Sequence, residues 1–230
     1  MQTVFILLIA LSALMALFTG LLIYDEQKKK GNCRTLFKSL ATAMFLGMGI
    51  ALLLLVRQKG LGWLAAGLLA SAFGDEFLAF FDRCKKSVYF VLGVSAFGAA
   101  QICYSIFFTG LAGGWTILAF AGAAIITLLS CGGILAFKMN LKSCLVPVVL
   151  YSYLLSLAFM NATVYAVVSG FAAGPLVLSL GMASFLISDV ILLFKYFYPG
   201  ARSALTGYNL SSYYLAQALL CFGAAMLGVR

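Results

Sequence analysis

Eight apolar runs, each about as long as a bilayer is thick, take up nearly the whole chain. They fall at about 3–24, 37–56, 61–81, 88–109, 115–137, 145–168, 174–198 and 205–228, with short gaps between. Backbone N–H and C=O groups in lipid have no water to bond, so only helices or closed barrels cross it. These runs are continuous rather than alternating and twice as long as a barrel strand, so they read as helices. The chain has 230 residues, is 64% hydrophobic and only 9% charged, and has a mean hydropathy of +1.11. One soluble core of this size cannot hide that much apolar surface. Disorder and a disulfide-stapled secreted fold are excluded too. The expected fold is all-α, a polytopic bundle of eight transmembrane helices forming one domain over 1–230. Short connections make consecutive helices antiparallel neighbours. The first run lacks a basic leader and is long enough to span, so it reads as a retained helix.

The formal charge of +9 resides in the gaps. Loops 1–2, 3–4, 5–6 and 7–8 with their flanks carry Lys28, Lys29, Lys30, Arg34, Lys38, Arg83, Lys85, Lys86, Lys138, Lys142, Lys195 and Arg202. The other side carries Arg57, Lys59 and Arg230. This asymmetry predicts cytoplasmic basic loops and both termini outside, in a multi-pass protein of the bacterial inner membrane or a membrane obeying the same rule. It reads as topology, not as a nucleic-acid stripe, so no nucleic-acid partner is expected. There is no histidine, which excludes a His base and His-ligated metal. The six cysteines show no CxxC spacing and read as small core residues. No cofactor or metal is called for.

Of six acids, Asp25, Glu26 and Asp82 fall at span ends, where they are expected in water. Asp75, Glu76 and Asp189 fall inside apolar runs, where a carboxylate is costly and is paired or functional. Asp75 precedes Asp82 by seven residues and Asp189 precedes Lys195 by six, so both lie about 10 Å inside the cytoplasmic helix ends. Aligning Asp75 on Asp189 also pairs Gly67 with Gly181, Leu78 with Leu192, Phe80 with Phe194 and, nearly, Gln101 with Gln217. This suggests a four-plus-four parallel repeat that gathers two Asp and two Gln around one cavity. Tyr104, Tyr151, Asn161, Ser188, Tyr213 and Tyr214 could join them. For each alone, an interhelical hydrogen bond is the simpler role. Glu76 is turned about 100° from Asp75 and faces a neighbouring helix or the interface.

Gly74-Asp75, Ser188-Asp189 and Tyr213-Tyr-Leu-Ala-Gln217, on this layout and length, resemble the YhhN family, whose animal members include lysoplasmalogenases. The resemblance covers essentially the whole chain. One departure is Gln101, where the family often carries a His three residues before a Tyr; here Tyr104 is kept. The resemblance implies hydrolysis of the vinyl ether of a lysoplasmalogen to a fatty aldehyde and a glycerophospho-headgroup compound. The partners are then a lysophospholipid and membrane lipids; the oligomeric state is not specified.

Acid cleavage of a vinyl ether needs a carboxylic acid to protonate carbon and a second carboxylate to steady the oxocarbenium ion and activate water, as glycosidases need two carboxyls. Two carboxyls in one low-dielectric cavity resist ionising together, so one keeps its proton. Asp75 and Asp189 are the candidate pair, in either order. Tyr213, Tyr214, Gln217, Gln101 and Tyr104 would orient water or the ether oxygen. Arg83, Lys85, Lys86, Lys195 and Arg202 are candidates for a lipid phosphate, although topology alone accounts for them. Paired intramembrane Asp and an internal repeat also suit a proton-coupled small-molecule or lipid transporter. Pro147, Pro175 and Pro199 all lie near span ends, so broken helices are not indicated. A bundle merely locked by its Asp pair is the third alternative.

Overall fold

In the computed structural model, the described residues are 2–27, 33–141, 144–201 and 204–228. Among them are eight helices, each long and apolar enough to span a membrane. They are α1 (Gln2–Gln27), α2 (Arg34–Leu55), α3 (Leu61–Cys84), α4 (Ser87–Ala112), α5 (Ile117–Ala136), α6 (Leu145–Val168), α7 (Ala173–Phe197) and α8 (Ala204–Leu227). They coincide with the eight expected spans to within a few residues. Lys28, Lys29, Lys30, Lys142, Arg202 and Arg230, used above for topology, lie outside the described residues.

Local chemistry sets the helix ends. Gly60 and Gly113 take positive φ, one before α3 and one after α4. Thr116 caps α5 by accepting from the Ala119 N–H. Pro147 and Pro175 sit in the first turns of α6 and α7, where a missing N–H costs nothing.

The helices pack in an order that repeats. α1 lies on α2, α2 on α3 and α3 on α4; α5 lies on α6, α6 on α7 and α7 on α8. The halves meet where α4 packs on α6 and where α8 packs on α2 and α1. Gly67 and Gly181, matched by the sequence alignment, stand at corresponding approaches. A Cβ on Gly67 would strike the Tyr104 ring of α4, and one on Gly181 would stand 3.2 Å from Leu219 and Leu220 of α8.

One expectation is corrected: α4 and α5 barely touch, although they are consecutive. The Gly113-Gly114 connection, with both residues at positive φ, leads α5 away. α5 then lays Ala119 and Ala123 against Leu157 and Val164 of α6. Its other faces point outward, with Ile117, Leu128 and Leu135 each more than two-thirds exposed, as suits a lipid-facing surface. The main core is elsewhere, around Phe45, Met48, Tyr104, Phe185 and Leu178.

Candidate functional site

Polar residues recur on α3 at Ser71, Asp75 and Asp82, a helical spacing that keeps them on one stripe. Lys38 and Thr42 are one turn apart on α2 and face that stripe. Lys38 Nζ lies 2.9 Å from Asp75 Oδ1 and also donates to the Asp75 carbonyl at 2.7 Å. Thr42 Oγ1 and the Tyr214 hydroxyl donate to Asp75 Oδ2 at 2.9 and 3.1 Å. Asp75 is thus buried, paired and bonded through both carboxylate oxygens.

Asp189 is held differently. It lies eight residues from the end of α7, as Asp75 lies nine from the end of α3, so the two are about 12–14 Å deep from the same face. The Tyr151 hydroxyl of α6 donates to Asp189 Oδ2. No ion pair among the described residues includes Asp189. Each Asp is therefore met from the helix immediately before its own, Asp75 by α2 and Asp189 by α6, and Asp75 is met by α8 as well.

Both carboxylates line one narrow cavity of about 30 Å³, together with Arg34, Asp82 and Lys195. That is room for about one water molecule. Asp189 and Tyr151 also border a second cavity, of about 60 Å³, whose wall is mostly apolar and includes Val94, Leu155 and Leu193. Asp189, with Leu192 and Tyr196, thus stands between a charged space and an apolar one, and it is the carboxylate that borders both.

The remaining residues form a second layer. The Tyr104 hydroxyl contacts Ser71 Oγ at 3.1 Å and donates to Gln217 Oε1 at 3.3 Å. The Tyr213 hydroxyl donates to the Ser71 carbonyl at 3.3 Å. Gln101 is buried against Tyr151 without hydrogen-bonding geometry to any described residue. Ser188 is a tie between helices: its hydroxyl donates to the Asn209 carbonyl, and Asn209 Nδ2 donates back to Ser188 O and Oγ at 2.9 Å. Glu76 accepts from Ser39 Oγ at 2.9 Å and does not reach the cavity. Asn161 is buried on α6, nearer the middle of the bundle.

Two readings of charge are corrected. Asp82 is not a solvated loop acid: its side chain is only 7% exposed. α3 continues past the expected end at residue 81, so Asp82 turns inward toward α2 and α7. It accepts from Arg34 at 2.5 Å, Lys195 at 3.4 Å and the Tyr196 hydroxyl at 3.0 Å. Arg34 in turn pairs with Glu26 of α1 at 2.9 Å. Lys38, counted above as a topology charge, is buried, because α2 begins at Arg34 and carries Lys38 one turn inside. Of the suggested phosphate ligands, Lys195 lines the cavity, whereas Arg83, Lys85 and Lys86 are exposed and Arg202 is outside the described residues. Arg34, Lys38, Thr42 and Asn209 were not singled out. The signal for Lys38 and Thr42 was their i, i+4 spacing at the head of an apolar run.

No curated protein and no solved structure matches the chain. The YhhN family model matches residues 33–224, which takes in both aspartates and all the cavity-lining helices except α1, and on that match the chain belongs to the YhhN family.

Proposed function

We propose that the protein hydrolyses the vinyl ether bond of a lysoplasmalogen-type lipid, with Asp189 as the acid and Asp75 as the fixed carboxylate. The observation that carries this reading is Asp189 standing between a charged and an apolar cavity. A single-chain lipid has the same division, with its vinyl ether at the junction. Both cavities are too small for the lipid as they stand, so the helices around Asp189 separate to admit it.

Asp189, with no cation paired to it, suits the protonated role. It delivers its proton to the alkenyl carbon distal to oxygen, which leaves an oxocarbenium ion and an Asp189 carboxylate. The Asp75 carboxylate, held by Lys38, Thr42 and Tyr214, lends negative potential to that cation without reorganising. Water adds to the oxocarbenium carbon and passes its proton to the Asp189 carboxylate. The hemiacetal then collapses to a fatty aldehyde and a glycerophospho-headgroup alcohol. Arg34 and Lys195, at the charged end of the cavity, suit the phosphate.

A proton-coupled carrier is the competing reading, favoured by buried polar residues in mid-bundle that lack partners. The deciding experiment follows aldehyde release from C16 or C18 lysoplasmalogen by the purified protein, beside Asp189→Asn and Asp75→Asn. Aldehyde from the wild type and none above background from folded Asp189→Asn supports the hydrolase. No aldehyde from folded wild type across several headgroups overturns it and turns attention to proton flux in liposomes.

A further inference from the structure

Five side chains in the middle of the bundle hold polar atoms with no hydrogen-bond partner among the described residues. They are both ends of the Gln101 carboxamide, Ser105 Oγ, Ser156 Oγ, Asn161 Nδ2 and Gln217 Nε2. All five residues are 2% exposed or less. Left dry, each such atom costs about 1–3 kcal/mol, and six together rival the net stability of an ordinary domain. Something that hydrogen-bonds must therefore accompany them.

Their depths step through the bundle from one face toward the other. Measured along each helix from the face that bears Asp82, Asp189 is about 12 Å deep, Ser156 about 17 Å, Gln101 and Gln217 about 20 Å, and Asn161 and Ser105 about 24–27 Å. At the near end, Gln101 lies against Tyr151, which bonds Asp189. In the middle, Gln217 is joined to α4 through Tyr104. At the far end, Tyr165 is one turn beyond Asn161 on the same face of α6. Tyr165 lines a cavity of about 300 Å³ with Gln58 and Ser169, on the face opposite Asp82.

We propose that these side chains hold a file of internal water that enters from the Gln58–Ser169 cavity and ends at Asp189. Water fits because amides and hydroxyls are strung along the bundle, not gathered around one centre as a larger ligand would require. The role given to the file rests on the hydrolase reading: it brings the hydrolytic water, and the proton that resets Asp189, from the side opposite the lipid headgroup.

Hydroxyl-radical footprinting with X-ray pulses tests this on the full chain in nanodiscs, because radicals form from enclosed water. Tyr104 and Phe45 are both fully buried, but Tyr104 bonds Gln217 of the file, whereas Phe45 stands on α2 with its ring against Tyr213 and Tyr214. Tyr104 is expected to be modified several-fold faster than Phe45 after allowance for the intrinsic reactivity of the two rings. Asn161→Leu and, as a second variant, Ser105→Val should bring the Tyr104 rate down toward that of Phe45 while folding is retained. Equal protection of Tyr104 and Phe45 in the wild type overturns the file. Unchanged Tyr104 labelling in both folded variants overturns entry from the far side. The footprint needs no turnover, so a labelled protein that releases no aldehyde counts against the hydrolase alone.

Discussion

Lys38 shows what one residue can settle. Its ammonium touches both the carboxylate and the main-chain carbonyl of Asp75, with both side chains over nine-tenths buried. Removing one partner of such a pair strands a charge, and that loss exceeds what the intact pair contributes. Lys38→Met is therefore expected to destabilise the protein by about 3–5 kcal/mol, and Lys38→Met with Asp75→Asn to recover much of it. Thermal unfolding of the single and double variants in detergent checks this; equal loss in both would show that Lys38 acts through packing alone. The sequence made Asp75 and Asp189 conspicuous, because an acid in an apolar run has few innocent explanations. It did not do so for Lys38. A lysine one turn from a helix end looks the same whether it reaches outward to water or inward to a carboxylate, and the positive-inside count absorbs both.

Among the helices, close approach depends on glycine. α3 and α4 come together at Gly67, where the Tyr104 ring occupies the space a Cβ would need. That ring carries the hydroxyl linking Ser71 to Gln217. Gly67→Ala is expected to cost about 1–3 kcal/mol and to weaken the Tyr104–Gln217 link. Gly110→Ala on α4, where no atom lies within 4 Å of an added Cβ, is expected to be neutral or stabilising by up to about 1 kcal/mol. Comparing the two melting temperatures isolates the steric effect; a matching loss at Gly110 would refute it. All eight helices were legible because a bilayer dictates their length. Which of them touch was less so. α5 leaves its predecessor for α6, and the apolar residues that cover it do not record which neighbour they meet.

Across the whole molecule, Asp82 ties the halves at one face. It joins α2 through Arg34 to α7 through Lys195, and Arg34 extends the network to Glu26 of α1. Asp82→Asn leaves two cations facing each other. Arg34 is over a quarter exposed, so solvent softens the loss to about 1–3 kcal/mol. Salt separates this network from the deeper pair. The Asp82→Asn penalty is expected to shrink between 50 mM and 500 mM salt, while the Lys38→Met penalty holds, as screening acts far more on pairs near water. Unfolding at the two ionic strengths measures both, and equal salt sensitivity would place Lys38 nearer to solvent than its burial indicates. Asp82 was read as a loop acid because an apolar run ends in sequence before its helix ends in space.

The Lys38–Asp75 pair also bears on how the chain enters a membrane. α2 carries a buried cation and α3 a buried anion, so neither is content alone in lipid. Inserted as a hairpin, the two neutralise each other at once. Tyr214, which completes the shell of Asp75, arrives only with the last helix. Early in its biogenesis the protein is therefore a charge-balanced hairpin, and its carboxylate becomes fully held only when the C-terminal helix closes the bundle.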